Sequence, residues 1–207
     1  IVITQSSSGN TPETVKAAEI AQKAGAASIV ITNKPESPLA QNGDYVLVPE
    51  KGSTANSGQG YSFQLAVEIL NQTEGYENYD EMYNGFDRID KIVGNATKFI
   101  APRAEKWAKM YKDEKLIYTM GSGSAYSVAY SFAICLLMEM QWINSSAIHS
   151  GEYFHGPFEI TDRETPFIVF MSEGRTRPLD QRALDFLKQY AEKLMIVDVK
   201  ELGINTI

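Results

Sequence analysis

The stretch Ile1-Val2-Ile3-Thr4-Gln5-Ser6-Ser7-Ser8-Gly9-Asn10-Thr11-Pro12-Glu13-Thr14 decides the fold. Its first residues are apolar and β-branched, which reads as a strand, and the polar run behind them reads as a loop. Thr11 has the character of an N-cap, with Pro12 at the first helical position and Glu13 in the first turn, so a helix begins there. The helix is expected to reach about Ala24, where Gly25 stops it. Ser28 to Thr32 then reads as a buried strand, Pro35 and Pro38 break the chain, and Tyr45 to Val48 is a further short strand. Strands and helices alternating through short connections predict an α/β fold, a parallel sheet covered by helices.

The same grammar returns later. Leu116 to Met120 reads as a strand, Gly121-Ser122-Gly123-Ser124 as a tight turn, and Tyr126 to Trp142 as an apolar helix. Further strands are expected near 145–149, 167–171 and 194–199, with a helix over about 179–193 between the last two. Between the two regions lie a Gly- and Ser-rich stretch at 52–60, a helix over about 61–72 and a Tyr-, Asn- and Asp-rich linker at 75–85. A long helical segment over about 87–112 follows, expected to break near Pro102. The chain thus divides into residues 1–78, a connecting segment 79–113, and residues 114–207.

Composition narrows the function. With 43 % hydrophobic residues among 207, a sizeable core is available and global disorder is excluded. The net charge of −7 argues against a general nucleic-acid or anionic-membrane binder, whose footprint is basic. The single cysteine, Cys135, cannot form an intrachain disulfide; within its apolar run it reads as inert packing and fits a reducing, cytoplasmic setting. No charged segment precedes an apolar stretch at the start, as in a signal peptide, and no apolar run approaches membrane-spanning length.

Two groups of residues carry chemistry. In the serine loop, Ser6, Ser8 and Thr11, with Ser7 beside them, stand before a helix N-terminus, where backbone N–H groups and the helix dipole favour an anion such as phosphate. The same pattern also serves as a plain helix cap. The second group is Glu139 and the only two histidines. Glu139 lies among Leu136, Leu137, Met138, Met140 and Trp142, and partial burial there would suit it to proton transfer. His155 precedes Gly156-Pro157 at a rigid bend that can fix an imidazole in a cleft. His149, Glu152 and His155 lack the helical spacing of a zinc site, so no metal is expected. Gly121-Ser122-Gly123 starts like a dinucleotide fingerprint, but Tyr126 stands where its third glycine belongs, so no nicotinamide or other cofactor is expected. Arg175 and Arg177 could meet a substrate carboxylate or be plain loop charges.

The serine loop S-S-S-G-N-T-P-E-T at 6–14 resembles the phosphate loop of SIS (sugar isomerase) domains. The cassette M-E-M-Q-W-I-N-S-S-A-I-H-S-G-E-Y-F-H-G-P-F-E-I at 138–160 closely resembles fructoselysine-6-phosphate deglycases, which are related to the isomerase half of glucosamine-6-phosphate synthase. K-P-E-S-P-L-A-Q at 34–41, I-Y-T-M-G-S-G at 117–123 and S-E-G-R-T-R-P-L-D-Q-R-A-L at 172–184 add to the likeness. It implies two three-layer SIS units, the first without its opening glycine-rich turn and the second without a C-terminal tail. It also implies Glu139 as general base and His155 as general acid or ring-opening group. Ser6, Ser7, Ser8 and Thr11 would bind phosphate, and Gly121, Ser122, His149, Glu152 and Arg177 would contact substrate. The implied activity is cleavage of an Amadori sugar 6-phosphate, in a homodimer or higher oligomer with a shared active site. An aldose–ketose isomerase and a non-catalytic phosphosugar sensor are the competing readings. Leu136 stands where glucosamine synthases carry Lys, which weakens ammonia-transfer chemistry. Asn144 stands where deglycase relatives often carry His.

Overall fold

The computed structural model describes residues 1–204, and the chain forms two compact units that divide between Val93 and Gly94. The first unit holds β1 (Val2–Gln5), α1 (Pro12–Lys23), β2 (Ser28–Ile31), β3 (Tyr45–Leu47) and α2 (Gly58–Glu74). Its sheet is parallel, in the order β1-β2-β3, with Ile3 opposite Ile29 and Val30 opposite Val46. Parallel strands need a crossover, and α1 supplies it. The small side chain of Ala18 lets α1 approach the sheet and pack on Val30 and Leu39. Gly9 fixes the loop between β1 and α1. Its φ is +65°, and a Cβ there would lie 2.0 Å from Ser37 Oγ, so only glycine fits.

α3 (Tyr79–Tyr111) is a 33-residue helix that runs through both expected interruptions. Residues 79–85 are helical rather than linker because α2 gives them partners: the Tyr79 and Tyr83 hydroxyls both donate to Glu68, and the two rings lie 4.8 Å apart. Pro102 sits inside the helix without breaking it. Its ring removes one hydrogen bond, to the carbonyl of exposed Lys98, which water can satisfy. At its other end Ile100, Ala104 and Trp107 pack against the second unit's core.

The second unit contains β4 (Leu116–Gly121), α4 (Ser124–Ser131), β5 (Asn144–His149), β6 (Phe167–Met171), α5 (Arg177–Tyr190) and β7 (Leu194–Asp198). The sheet is all parallel, in the order β5-β4-β6-β7. Every residue of β6 is buried, and alternation sorts its side chains to the two faces. Phe167, Val169 and Met171 meet Ala183, Leu184 and Leu187 of α5. Ile168 and Phe170 meet Ala125 and Ala129 of α4.

The apolar helix expected over 126–142 is instead two winds. α4 gives way at Phe132 to a π-helical segment, Phe132–Met140, in which Gln141 N–H donates to the Leu136 carbonyl. The wider turn sends Leu137 into the core and leaves Leu136, Met138, Glu139 and Met140 exposed. Trp142 ends it with a φ of +58° and is 90 % exposed.

The strand ends are tied by a half-buried ion pair. Arg177 donates to both carboxylate oxygens of Asp198, at 2.9 and 2.6 Å, and to the Ser172 carbonyl at 3.0 Å. This joins the end of β7 to the loop after β6. The bidentate guanidinium holds the Asp198 carboxyl below the usual carboxylate range. A lowered folded-state value stabilises the native state above the unfolded carboxyl's value of about 4 and loses that contribution as pH falls below it. Asp198→Asn is therefore expected to flatten the acid limb of stability, measured as urea unfolding at a series of pH values below about 4.

Candidate active site

Each unit offers a set of loops at the C-terminal ends of its parallel strands, the edge where α/β sheets bind ligands. In the first unit β1 delivers the serine loop. Ser6 is buried, and its hydroxyl lies 2.8 Å from that of Thr11 and 3.5 Å from that of Ser8. The structure thus gathers Ser6, Ser8 and Thr11, while Ser7 is exposed and makes no side-chain hydrogen bond to them among the described residues. Thr11 is the N-cap of α1 in backbone terms, but no side chain caps the helix. Its hydroxyl is held by Ser6, and the N–H groups of the first turn face outward with their partial positive charge. On the Ser7 side a cavity of about 490 Å³ opens, lined among others by Gln5, Thr32, Asn33, Glu50 and Lys51. Asp90 braces the loop over 53–55: its carboxylate accepts the Ser53 hydroxyl at 2.7 Å, the Ala55 N–H at 3.2 Å and the Thr54 N–H. These bonds hold the Asp90 carboxyl below its ordinary range.

In the second unit the strand order turns between β4 and β6, and the Gly121-Ser122-Gly123 turn sits at that switch. Ser122 is fully buried, and its hydroxyl donates to the Thr176 carbonyl at 3.2 Å. Gly123 has a φ of +54°, and a Cβ there would lie 2.5 Å from Thr176 Oγ1, so the turn and the loop before α5 are in close contact. Gly121 pairs with His149 across the β4–β5 ladder. His149 is half-buried, its Nδ1 accepts the Gly151 N–H at 3.1 Å, and its ring stands edge-on to Tyr126 at 5.0 Å. Its Nδ1 is therefore the unprotonated nitrogen when the ring is neutral. Glu152 is exposed just before the short helical turn Tyr153–His155, and His155 is exposed at its end.

Three sequence expectations need correction. Glu139 is not partly buried beside Met138 and Met140; all three are exposed, because the π-helical winding turns them away from the core. Cys135 is likewise exposed rather than packed. Arg177 is neither a loop charge nor a free carboxylate receptor, since Asp198 engages its guanidinium at two points. Among the described residues no hydrogen bond or ion pair joins Glu139 to His155. Two residues that brace these loops carried no sequence signal: Asp90 and Asp198 are ordinary letters in a helix and at a strand end, and only the folded contacts distinguish them. Thr176 and Asp180 lie within the 172–184 segment that adds to the family likeness, but the sequence assigned them no role.

A SIS domain model matches residues 1–72 and 110–202. The chain is 48 % identical over 201 residues to fructosamine deglycase FrlB of Bacillus subtilis (strain 168), covering 96 % of this chain and 61 % of that protein. It is 23 % identical over 202 residues to fructoselysine 6-phosphate deglycase of Escherichia coli (strain K12), covering 98 % of this chain and 59 % of that one. The chain spans about three fifths of the length of these curated relatives. A solved phosphosugar-isomerase-like structure from Bacillus subtilis superposes with a TM-score of 0.90 at 47 % identity, covering 96 % of this chain and 62 % of that one. The C-terminal domain of glucosamine-fructose-6-phosphate aminotransferase from Francisella tularensis shares the fold, with a TM-score of 0.78 at 20 % identity, covering 96 % of this chain and 60 % of that one. The parallel sheets, the serine loop before a helix and the family match agree: this chain belongs to the SIS domain family.

Proposed function

We propose that the protein is a phosphosugar deglycase that cleaves a ketoamine (Amadori) sugar 6-phosphate, such as fructoselysine 6-phosphate, to glucose 6-phosphate and a free amine. The observation that carries the reading is the 48 % identity to a fructosamine deglycase across 96 % of the chain. The site chemistry supports it. The uncapped start of α1 and the gathered hydroxyls of Ser6, Ser8 and Thr11 offer a phosphate the donors it needs without a cationic side chain. Glu139 and His155 are exposed, and their side chains have no hydrogen-bond or ion-pair partner among the described residues, so both are open to a substrate.

In the proposed reaction His155 assists opening of the sugar ring. Glu139 takes a proton from carbon 1 of the ketoamine, and a proton returns at carbon 2. The double bond moves to carbon 1 as an imine. Water adds there, the carbon–nitrogen bond breaks, and the amine leaves. The balance is ketoamine plus water to aldose plus amine, with no oxidant or reductant. Ser122 and His149 hold the shape of the site in this reading, and Glu152 stands at its rim. Arg177 serves β7 rather than substrate.

The reading extends to assembly. Val128, Tyr130, Ile134, Leu136, Met138, Met140 and Trp142 expose apolar surface along α4 and the π-helical segment, the kind of surface a subunit contact covers. We place the protein in the cytoplasm as a homodimer or higher oligomer whose subunits share sites. No described helix is long and apolar enough to cross a membrane.

Glu139→Gln is expected to lower amine release from fructoselysine 6-phosphate by about 10²–10⁴-fold while substrate still binds, read by product assay and calorimetry. Near-normal turnover would remove Glu139 from the reaction. Thr11→Ala is expected to raise KM about tenfold with a smaller change in kcat, because it loses a charge-assisted donor to phosphate. Mixing inactive Glu139→Gln and His155→Ala chains is expected to restore part of the activity. No recovery in proven mixed dimers would count against shared sites.

A further inference from the structure

One carboxylate of the second unit is kept wholly out of solvent. Asp180, in the first turn of α5, is 0 % exposed. Its Oδ1 accepts the Ser150 hydroxyl at 2.7 Å, and its Oδ2 is buried with no hydrogen-bond partner among the described residues. A carboxylate in that position is costly, and an apolar side chain would pack there more cheaply. The helix N-terminus and the charge of nearby Arg177 offset part of that cost. What an apolar residue could not do is grip Ser150.

Ser150 is a fixed point of the cassette. It is 2 % exposed and is the first residue beyond β5. Its N–H donates to the Gly121 carbonyl at 2.9 Å, and its hydroxyl to Asp180. From there the chain winds through two tight turns, Glu152 N–H to the His149 carbonyl at 2.8 Å and His155 N–H to the Glu152 carbonyl at 2.9 Å. Between them Tyr153 is fully buried, with its ring 5.9 Å from that of Phe186 on α5. Helix α5 therefore holds the cassette at two places, by a polar contact at Ser150 and an apolar one at Tyr153. Glu152 and His155 are the residues left facing out.

We infer that Asp180 is a positioning residue: acting through Ser150, it fixes the loop over residues 150–157 that presents Glu152 and His155. The link to catalysis rests on the deglycase reading above; the link to the loop does not.

The test uses Asp180→Ala, Asp180→Asn, Ser150→Ala and the Asp180→Ala/Ser150→Ala double variant in the purified protein. By hydrogen exchange with mass spectrometry, Asp180→Ala is expected to speed exchange across 150–157 about tenfold or more, while β6 and residues 183–190 keep their protection. Asp180→Asn retains an oxygen acceptor and is expected to restore most of the protection. In the amine-release assay each single alanine variant is expected to lower kcat about 10–100-fold with KM changed less than about threefold, and the double variant to be no worse than the single ones. Unchanged exchange over 150–157, an equal rise throughout α5, or additive losses in the double variant would overturn the positioning role. If the wild type releases no amine, the deglycase reading falls, and the exchange result alone decides the role of Asp180.

Discussion

Parallel pairing is the constraint on which the rest of the structure depends. A parallel strand cannot return by a hairpin, so each crossover carries the chain back outside the sheet, and every strand of a unit ends on the same edge. In the second unit this brings Gly121, His149, Ser172 and Asp198 to one rim. The crossover helices bury β6 on both faces. The rim is then bound together by bonds between neighbouring loops: Ser150 to Gly121, Ser122 to Thr176, and Arg177 to Ser172 and Asp198. Glu152 and His155 stand beyond the end of β5, in a segment fastened to the neighbouring loop and to α5.

The two units use their rims differently. The first presents hydroxyls and a bare helix start, which suits an anion that only has to be held. The second presents the carboxylate of Glu152 and the imidazole of His155, both exposed just beyond the end of β5. A phosphate bound by hydroxyls and backbone dipoles needs no basic surface, so a net charge of −7 is compatible with an anionic substrate.

Much of this was legible in the letters. The apolar run Phe167–Met171, the Thr11-Pro12-Glu13 start of α1 and the stop at Gly25 each depend on local chemistry, and each element lies where that chemistry puts it. Two of the failures share a cause in contacts between residues distant in sequence. Residues 79–85 are loop-like by composition and helical because Glu68 binds their tyrosines. Arg177 reads by sequence as a substrate contact or a loop charge, and it is a tether because Asp198, 21 positions further on, engages it. The candidate site follows the same division. The serine loop and the His155 cassette are contiguous and could be read directly, whereas Asp180 gains its meaning only from Ser150, 30 positions earlier.

The π-helical segment sets the direction of Glu139. In an α-helix each residue turns the next by about 100°, so a wind that holds one extra residue is equivalent to an insertion absorbed in place. Leu137 stays in the core and Glu139 comes out at the surface only because Phe132–Met140 contains that additional residue. The length of this segment is therefore under a tighter constraint than its composition. Exchanging one apolar residue for another leaves Glu139 aimed as before, while removing a single residue would rewind the helix and rotate the carboxylate away with no change to the carboxylate itself.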